Sequence, residues 1–200
     1  MTSAIGQARE VFKRRGGTLR TREALADGIH PRTLYAMRDA GEIEQLARGL
    51  YRLAGLPPLS EPDLIPVAKR IPQGVVCLIS ALAYHDLTTQ VPHEVHIALP
   101  RTARHPTLTY PPLHVYRFSR RAFEAGIETH IIDRTSVRIY GAEKTLADCF
   151  KYRNKIGLDV AIEALRSYRG RRGAQLQKVL EFARTCRVEK IVRPYLEASA

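Results

Sequence analysis

The stretch TLRTREALADGIHPRTLYAMRDAGEIEQLARGLYRL, Thr18 to Leu53, decides the fold of the N-terminal part of the chain. Thr21 is a good N-cap for a short helix through Asp27, with Ala24 and Leu25 on its inner face and Gly28 ending it. Gly28-Ile29-His30 leaves a tight turn. Pro31 suits the first position of the next helix, where its missing N–H would have no partner in any case. Leu34 and Met37 face inward at helical spacing, and Gly41 closes that helix. Beyond it, Glu42 to Leu46 and Leu50 to Leu53 alternate on either side of Ala47-Arg48-Gly49, the pattern of a β-hairpin.

Upstream, Ser3 can cap a helix whose apolar residues Ile5, Ala8, Val11 and Phe12 fall on one face, and Gly16-Gly17 stops it after Lys13-Arg14-Arg15. Helix, helix, tight turn, helix, hairpin is the order of a winged helix-turn-helix. That geometry turns Arg32, Thr33, Tyr35, Ala36 and Arg38 toward a major groove. Arg reads guanine bidentately there, and Ala or Thr meets a thymine methyl. Arg48 at the hairpin tip is placed for a minor groove or a phosphate, with Arg52 behind it on the wing. Arg20, Thr21 and Arg22, at the head of the second helix, are counted with them as DNA-contact candidates. Small helices with a hairpin also occur in protein-interaction modules; the agreement of turn length, helix order, wing and basic residues favours DNA.

The 200 residues suffice for a small domain attached to a larger one. Gly55-Leu56-Pro57-Pro58-Leu59 breaks the pattern, so a DNA-binding domain is expected over 1–55 and a second domain over 60–200. In the second, helices are expected at Ser60 to Arg70, Ala81 to Asp86 and Ser119 to Ala125, with strands at Val75 to Ile79, Glu94 to Leu99, Leu113 to Phe118, Ile127 to Ile132 and Val137 to Tyr140. Helices at Ala142 to Asn154, Leu158 to Tyr168, Ala174 to Thr185 and Val188 to Ser199 follow. The fold class is therefore α+β: an N-terminal winged helix-turn-helix and a larger α+β domain ending in helices.

Net charge is +12 and 44% of residues are hydrophobic, so the chain folds and its excess charge favours a polyanion. Residues 1–55 carry 10 Lys/Arg against 6 Asp/Glu, and the rest 22 against 14, so both parts are basic. No apolar run reaches 18 residues, and Arg9-Glu10 breaks any signal-peptide core, so neither a membrane nor export is expected. Cys77, Cys149 and Cys186 are odd in number and far apart, as expected of buried thiols in a reducing cytosol.

Catalytic motifs are absent: there is no H-E-x-x-H, G-x-S-x-G or Walker sequence. Glu94, Asp133, Glu143 and Asp148 have no spacing that would build a nuclease metal centre. In His93-Glu94-Val95-His96, strand geometry turns His93 and Glu94 to opposite faces, and no third ligand stands at a defined spacing. A solvated strand edge is the favoured reading, and no enzyme activity, cofactor or metal is expected. The run Ala142 to Gly157 pairs an apolar stripe with cationic flanks, Lys144, Lys151, Arg153 and Lys155; it reads as a core helix with a wet side, or as a surface that meets an anionic partner. Arg169-Gly170-Arg171-Arg172-Gly173 reads as a solvated basic loop, with phosphate contact as the alternative.

GEIEQLARGLYRL, CLISALAYHDLTTQVPHEVHIALPR and YGAEKTLADCFKYRNKIGLDVAIEALRSY together resemble the AbiEi family of bacterial type IV toxin–antitoxin antitoxins, from about Ala8 to Leu196. The resemblance implies a cytoplasmic antitoxin that represses its own operon by binding inverted repeats in double-stranded promoter DNA. It implies a second domain that neutralises a cognate nucleotidyltransferase-like toxin. It places the recognition helix at Pro31 to Ala40 and the wing turn at Ala47-Arg48-Gly49, and Lys144, Lys151, Arg153 and Lys155 become candidates for the antitoxin surface. The competing readings are a nuclease targeted by a winged helix and a repressor that senses a small ligand.

Overall fold

The computed structural model describes residues 3–197. Its chain divides into two compact units: the first takes the chain up to Arg70 together with 108–111 and 131–136, the second the remainder.

The first unit opens with α1 (Ala4–Arg14), capped by Ser3, whose hydroxyl accepts from the Gly6 N–H at 3.1 Å. Strand β1 (Thr18–Arg20), unforeseen in the sequence, follows Gly17; three residues are too few to show alternation, and pairing with a distant strand makes it. Next come α2 (Thr21–Ala26), α3 (Pro31–Asp39), β2 (Ile43–Ala47) and β3 (Leu50–Leu53), with strand order β1-β3-β2. Thr21, expected as the cap of α2, is its first helical residue. Arg20 takes the cap position, where its N–H donates to Glu23 Oε2 at 2.8 Å. Phe12, Leu34 and Met37 are fully buried in a core with Ala8, Leu19, Ala24, Ile29, Ile43, Tyr51 and Leu53. Helix α4 (Leu64–Arg70) starts four residues later than expected, because Ser60 does not cap it: its N–H and hydroxyl both donate to Asp133 Oδ2, at 2.8 and 2.9 Å.

The second unit is built on β4 (Val75–Val76), α5 (Leu78–Tyr84), β5 (Val95–Pro100), β6 (Leu113–Phe118), α6 (Arg120–Glu124) and the larger parts of β7 (Ile127–Ile132) and β8 (Thr135–Tyr140), with sheet order β6-β5-β4-β8-β7. Asp133 and Arg134, both at positive φ, join β7 to β8 in the manner of a primed hairpin turn. The expected strand at Val75 to Ile79 is a correction: only Val75 and Val76 pair, and the chain enters α5 at Leu78. An apolar run of that length fits a buried helix start as well as a strand, and periodicity cannot separate them.

Five helices complete the chain: α7 (Ala142–Lys151), α8 (Arg153–Ile156), α9 (Leu158–Arg169), α10 (Leu176–Cys186) and α11 (Glu189–Glu197). The end expected for the last of these, Ser199, lies outside the described residues. Helix α7 packs against α5, α9, α10 and α11, and every residue from Lys144 to Phe150 is buried. Cys77, Cys149 and Cys186 are free thiols, all buried. Among the described residues, no helix is long and apolar enough to cross a membrane.

Candidate nucleic-acid interface

The turn between α2 and α3 is set by local geometry. Gly28 has φ +87°, a conformation costly for any residue with a Cβ, and Ile29 is pinned in the core while its N–H donates to Ala24 O at 2.9 Å. The His30 ring accepts from the Arg32 N–H at 3.2 Å, satisfying one of the free donors at the start of α3. Because Leu34 and Met37 are buried to completion, helical spacing leaves Arg32, Tyr35, Ala36 and Arg38 exposed and Thr33 half-buried. Helix α3 therefore presents one polar, basic ridge to solvent.

The guanidinium groups on this unit are not equivalent. Among the described residues, Arg22, Arg32 and Arg48 are exposed and enter no ion pair. Arg38 is exposed but lies 2.7 Å from Asp39 and 5.2 Å above the Tyr35 ring. Arg52, expected to face DNA, is a correction: its side chain is 8% exposed, pairs with Glu44 at 3.2 Å, and donates to the carbonyls of Leu56 and Pro57. Those carbonyls hold the chain that leaves β3. Arg20 is likewise only 7% exposed, and its Nε and Nη2 are buried without partners, so it adds charge rather than contact. Thr21 is half-buried, with its N–H donating to Gly49 O at 3.0 Å, so it holds the wing turn.

Two cations missing from the sequence reading join this set. Lys69 and Arg70, in the last turn of α4, come beside Arg20: burial first, then the charges of Arg22 and Arg70 against the opposing pull of Glu23, lower the Arg20 pKa. Burial likewise lowers that of Lys69; Glu23 opposes, and Arg20 and Arg15 add to the effect. About fifty residues separate Lys69 from Arg20, so no local signal could have joined them.

In the second unit, Lys144 is the main correction. Expected on a surface, it is fully buried, ion-paired with Asp148, and 4.1 Å from the Tyr140 ring centroid. Lys151 is half-buried, with Nζ donating to Cys186 O at 3.2 Å, and lines a concavity of about 330 Å³ with Arg101, Ser119, Arg121, Thr185 and Arg187. Four cations and no acid face that hollow. Arg153 is half-buried and donates to Phe150 O at 3.0 Å, and Lys155 is exposed near the Tyr116 and Tyr152 rings. The four residues therefore form no single patch. Arg171, in the basic loop, donates to the carbonyls of His85 and Asp86 and so fastens the loop.

The order of elements is that of a winged helix-turn-helix, with the basic ridge of α3 exposed. Residues 7–54 match the family model of the AbiEi antitoxin transcriptional regulators. The match thus runs from within α1 through β3, the segment that holds the DNA-contact candidates read from the sequence; Lys69 and Arg70 lie beyond it. The crystal structure of the RV2827C protein from Mycobacterium tuberculosis is similar in fold, with TM-score 0.59 and 15% identity over 97% of this chain and 80% of that one. Among curated proteins, none matches the sequence.

Proposed function

We propose that this protein is a promoter-binding autorepressor and the antitoxin of a type IV toxin–antitoxin pair, working in the cytoplasm without catalysis. Its first unit lays α3 in the major groove of each inverted repeat, with Arg48 on the flanking backbone. Its second unit neutralises a cognate nucleotidyltransferase-like toxin. The observation that carries the reading is the α3 ridge, with Arg32 unpaired and exposed one turn from Tyr35 and Ala36, inside the segment that matches AbiEi regulators.

Gel shifts with the DNA upstream of the gene test the first half. Arg32→Ala is expected to weaken binding to the upstream DNA by about 1–3 kcal/mol while leaving binding to random DNA nearly unchanged, the signature of base reading. Arg48→Ala is expected to weaken all DNA alike and to flatten the salt dependence by about one unit, the signature of one phosphate contact. Equal affinity of the native protein for upstream and random duplexes would remove the sequence-specific reading.

The second half is tested by co-expression with the neighbouring toxin. The basic hollow around Lys151 is the face assigned to neutralisation, and reversing charge at its exposed rim, Arg121→Glu with Arg187→Glu, is expected to abolish protection while promoter binding survives. Full protection by that variant would move the antitoxin surface elsewhere.

A further inference from the structure

Strands β5 and β6 run parallel with His96 directly beside His114. Glu94 directly precedes β5, and its carboxylate lies beside both rings. The His114 Nδ1 lies 2.8 Å, and the His96 Nε2 3.5 Å, from Glu94 Oε1, and one ligand atom from each residue falls within 4.8 Å of the others. Nitrogen and oxygen ligands held at 2.0–2.2 Å from a tetrahedral zinc stand about 3.3–3.6 Å apart; the His96 Nε2–Glu94 pair already has this separation, and the His114 Nδ1–Glu94 pair, a hydrogen bond here, would open by about 0.5 Å.

Their support is as specific as their spacing. The Ser80 hydroxyl accepts from the His96 N–H at 2.9 Å and donates to Glu94 O at 3.4 Å, fixing the backbone of both residues. The Tyr116 ring stacks on His114 at 4.6 Å. The His96 side chain is 7% exposed, and its Nε2 is the ring nitrogen on the Glu94 side; Nδ1 is buried with no hydrogen-bond partner. Glu94 and His114 stay partly exposed, at 39% and 45%, which leaves an open side for a water or a partner's ligand.

We propose that Glu94, His96 and His114 hold one divalent transition-metal ion, with Zn²⁺ favoured by the two-nitrogen, one-oxygen donor set, in a site open at its fourth position. The ion would clasp the edge strand β6 to β5. This inference does not depend on DNA binding or on the toxin.

The test uses the full-length chain without a histidine tag, titrated with ZnCl₂ by calorimetry and with CoCl₂ by visible absorption. One ion per chain with micromolar or tighter affinity is expected, with cobalt bands of four-coordinate intensity. Glu94→Gln and His114→Ala, both partly exposed and so tolerated by the fold, are each expected to weaken Zn²⁺ binding about tenfold or more. His93→Ala, exposed and outside the cluster, is expected to leave it unchanged. The proposal is overturned if the native chain shows no saturable binding, if both ligand variants bind as well as it does, or if His93→Ala weakens binding as much as they do.

Discussion

Asp148→Ala is expected to destabilise the second unit by about 3–5 kcal/mol, the cost of leaving a buried ammonium without its counter-ion. Lys144 and Asp148 stand one turn apart on α7, and both side chains are fully buried. The lysine stem runs under Gly126, which sits at φ +70°; a Cβ there would fall 2.7 Å from Lys144 Cβ. Its ammonium lies between Asp148 and the faces of Tyr140 and Phe118, 4.1 and 5.0 Å from their centroids. On the other carboxylate oxygen, Cys186 Sγ donates at 3.2 Å. Burial, and then the nearby carboxylate, push that thiol up to about 12, so it keeps the proton it donates.

The charge therefore has no route to water and few alternatives to Asp148. Replacing both partners, Lys144→Met with Asp148→Leu, removes the desolvation cost along with the attraction, so the double variant is expected to lose less than Asp148→Ala alone. Urea unfolding at constant m reads the difference. A loss under about 1 kcal/mol for Asp148→Ala would show that the lysine finds water or another acceptor. The motif Lys144-Thr145-Leu146-Ala147-Asp148 would then need a purpose other than holding the core.

Leu34→Ala should remove about 2–5 kcal/mol from the first unit and, with it, binding to the upstream DNA. Leu34 is fully buried beside Phe12 and Met37, and it is the inward anchor that orients α3. A cavity there frees the helix that carries Arg32, so stability and DNA affinity fall together. Arg32→Ala separates the two effects: its side chain makes no ion pair among the described residues, so stability is expected to stay within about 0.5 kcal/mol while affinity drops. Thermal melts alongside gel shifts give both readings. A Leu34→Ala protein that melts like the native one would mean that α3 is held by something other than this core.

These expectations rest on features of two kinds. The helix-turn-helix was legible because its signals are local. Gly28, Pro31 and Gly41 punctuate the backbone, and Leu34 and Met37 repeat at the helical period, so a few neighbouring residues contain the whole argument. The parallel neighbour strands Val95–Pro100 and Leu113–Phe118 were found within a residue for the same reason, as was α9, whereas the helix expected from Ala142 to Asn154 ends at Lys151 and a short α8 follows.

Which charges work and which are walled in was not local. Arg52 and Arg48 look alike in the sequence, yet one is held by Glu44 and the carbonyls of Leu56 and Pro57, and the other is exposed. Lys144 reads as a wet flank until the ring of Phe118, from distant β6, and that of Tyr140, at the end of β8, close over it. His114 becomes a neighbour of His96 only through a parallel pairing across eighteen residues. Amino-acid order determined most of the elements, the basic balance and the outward face of α3, because backbone preferences and hydrophobic period act over a few residues. The partners of each charge were decided by tertiary structure, because desolvation and ion pairing depend on whatever packing brings within a few ångströms, wherever it lies along the chain.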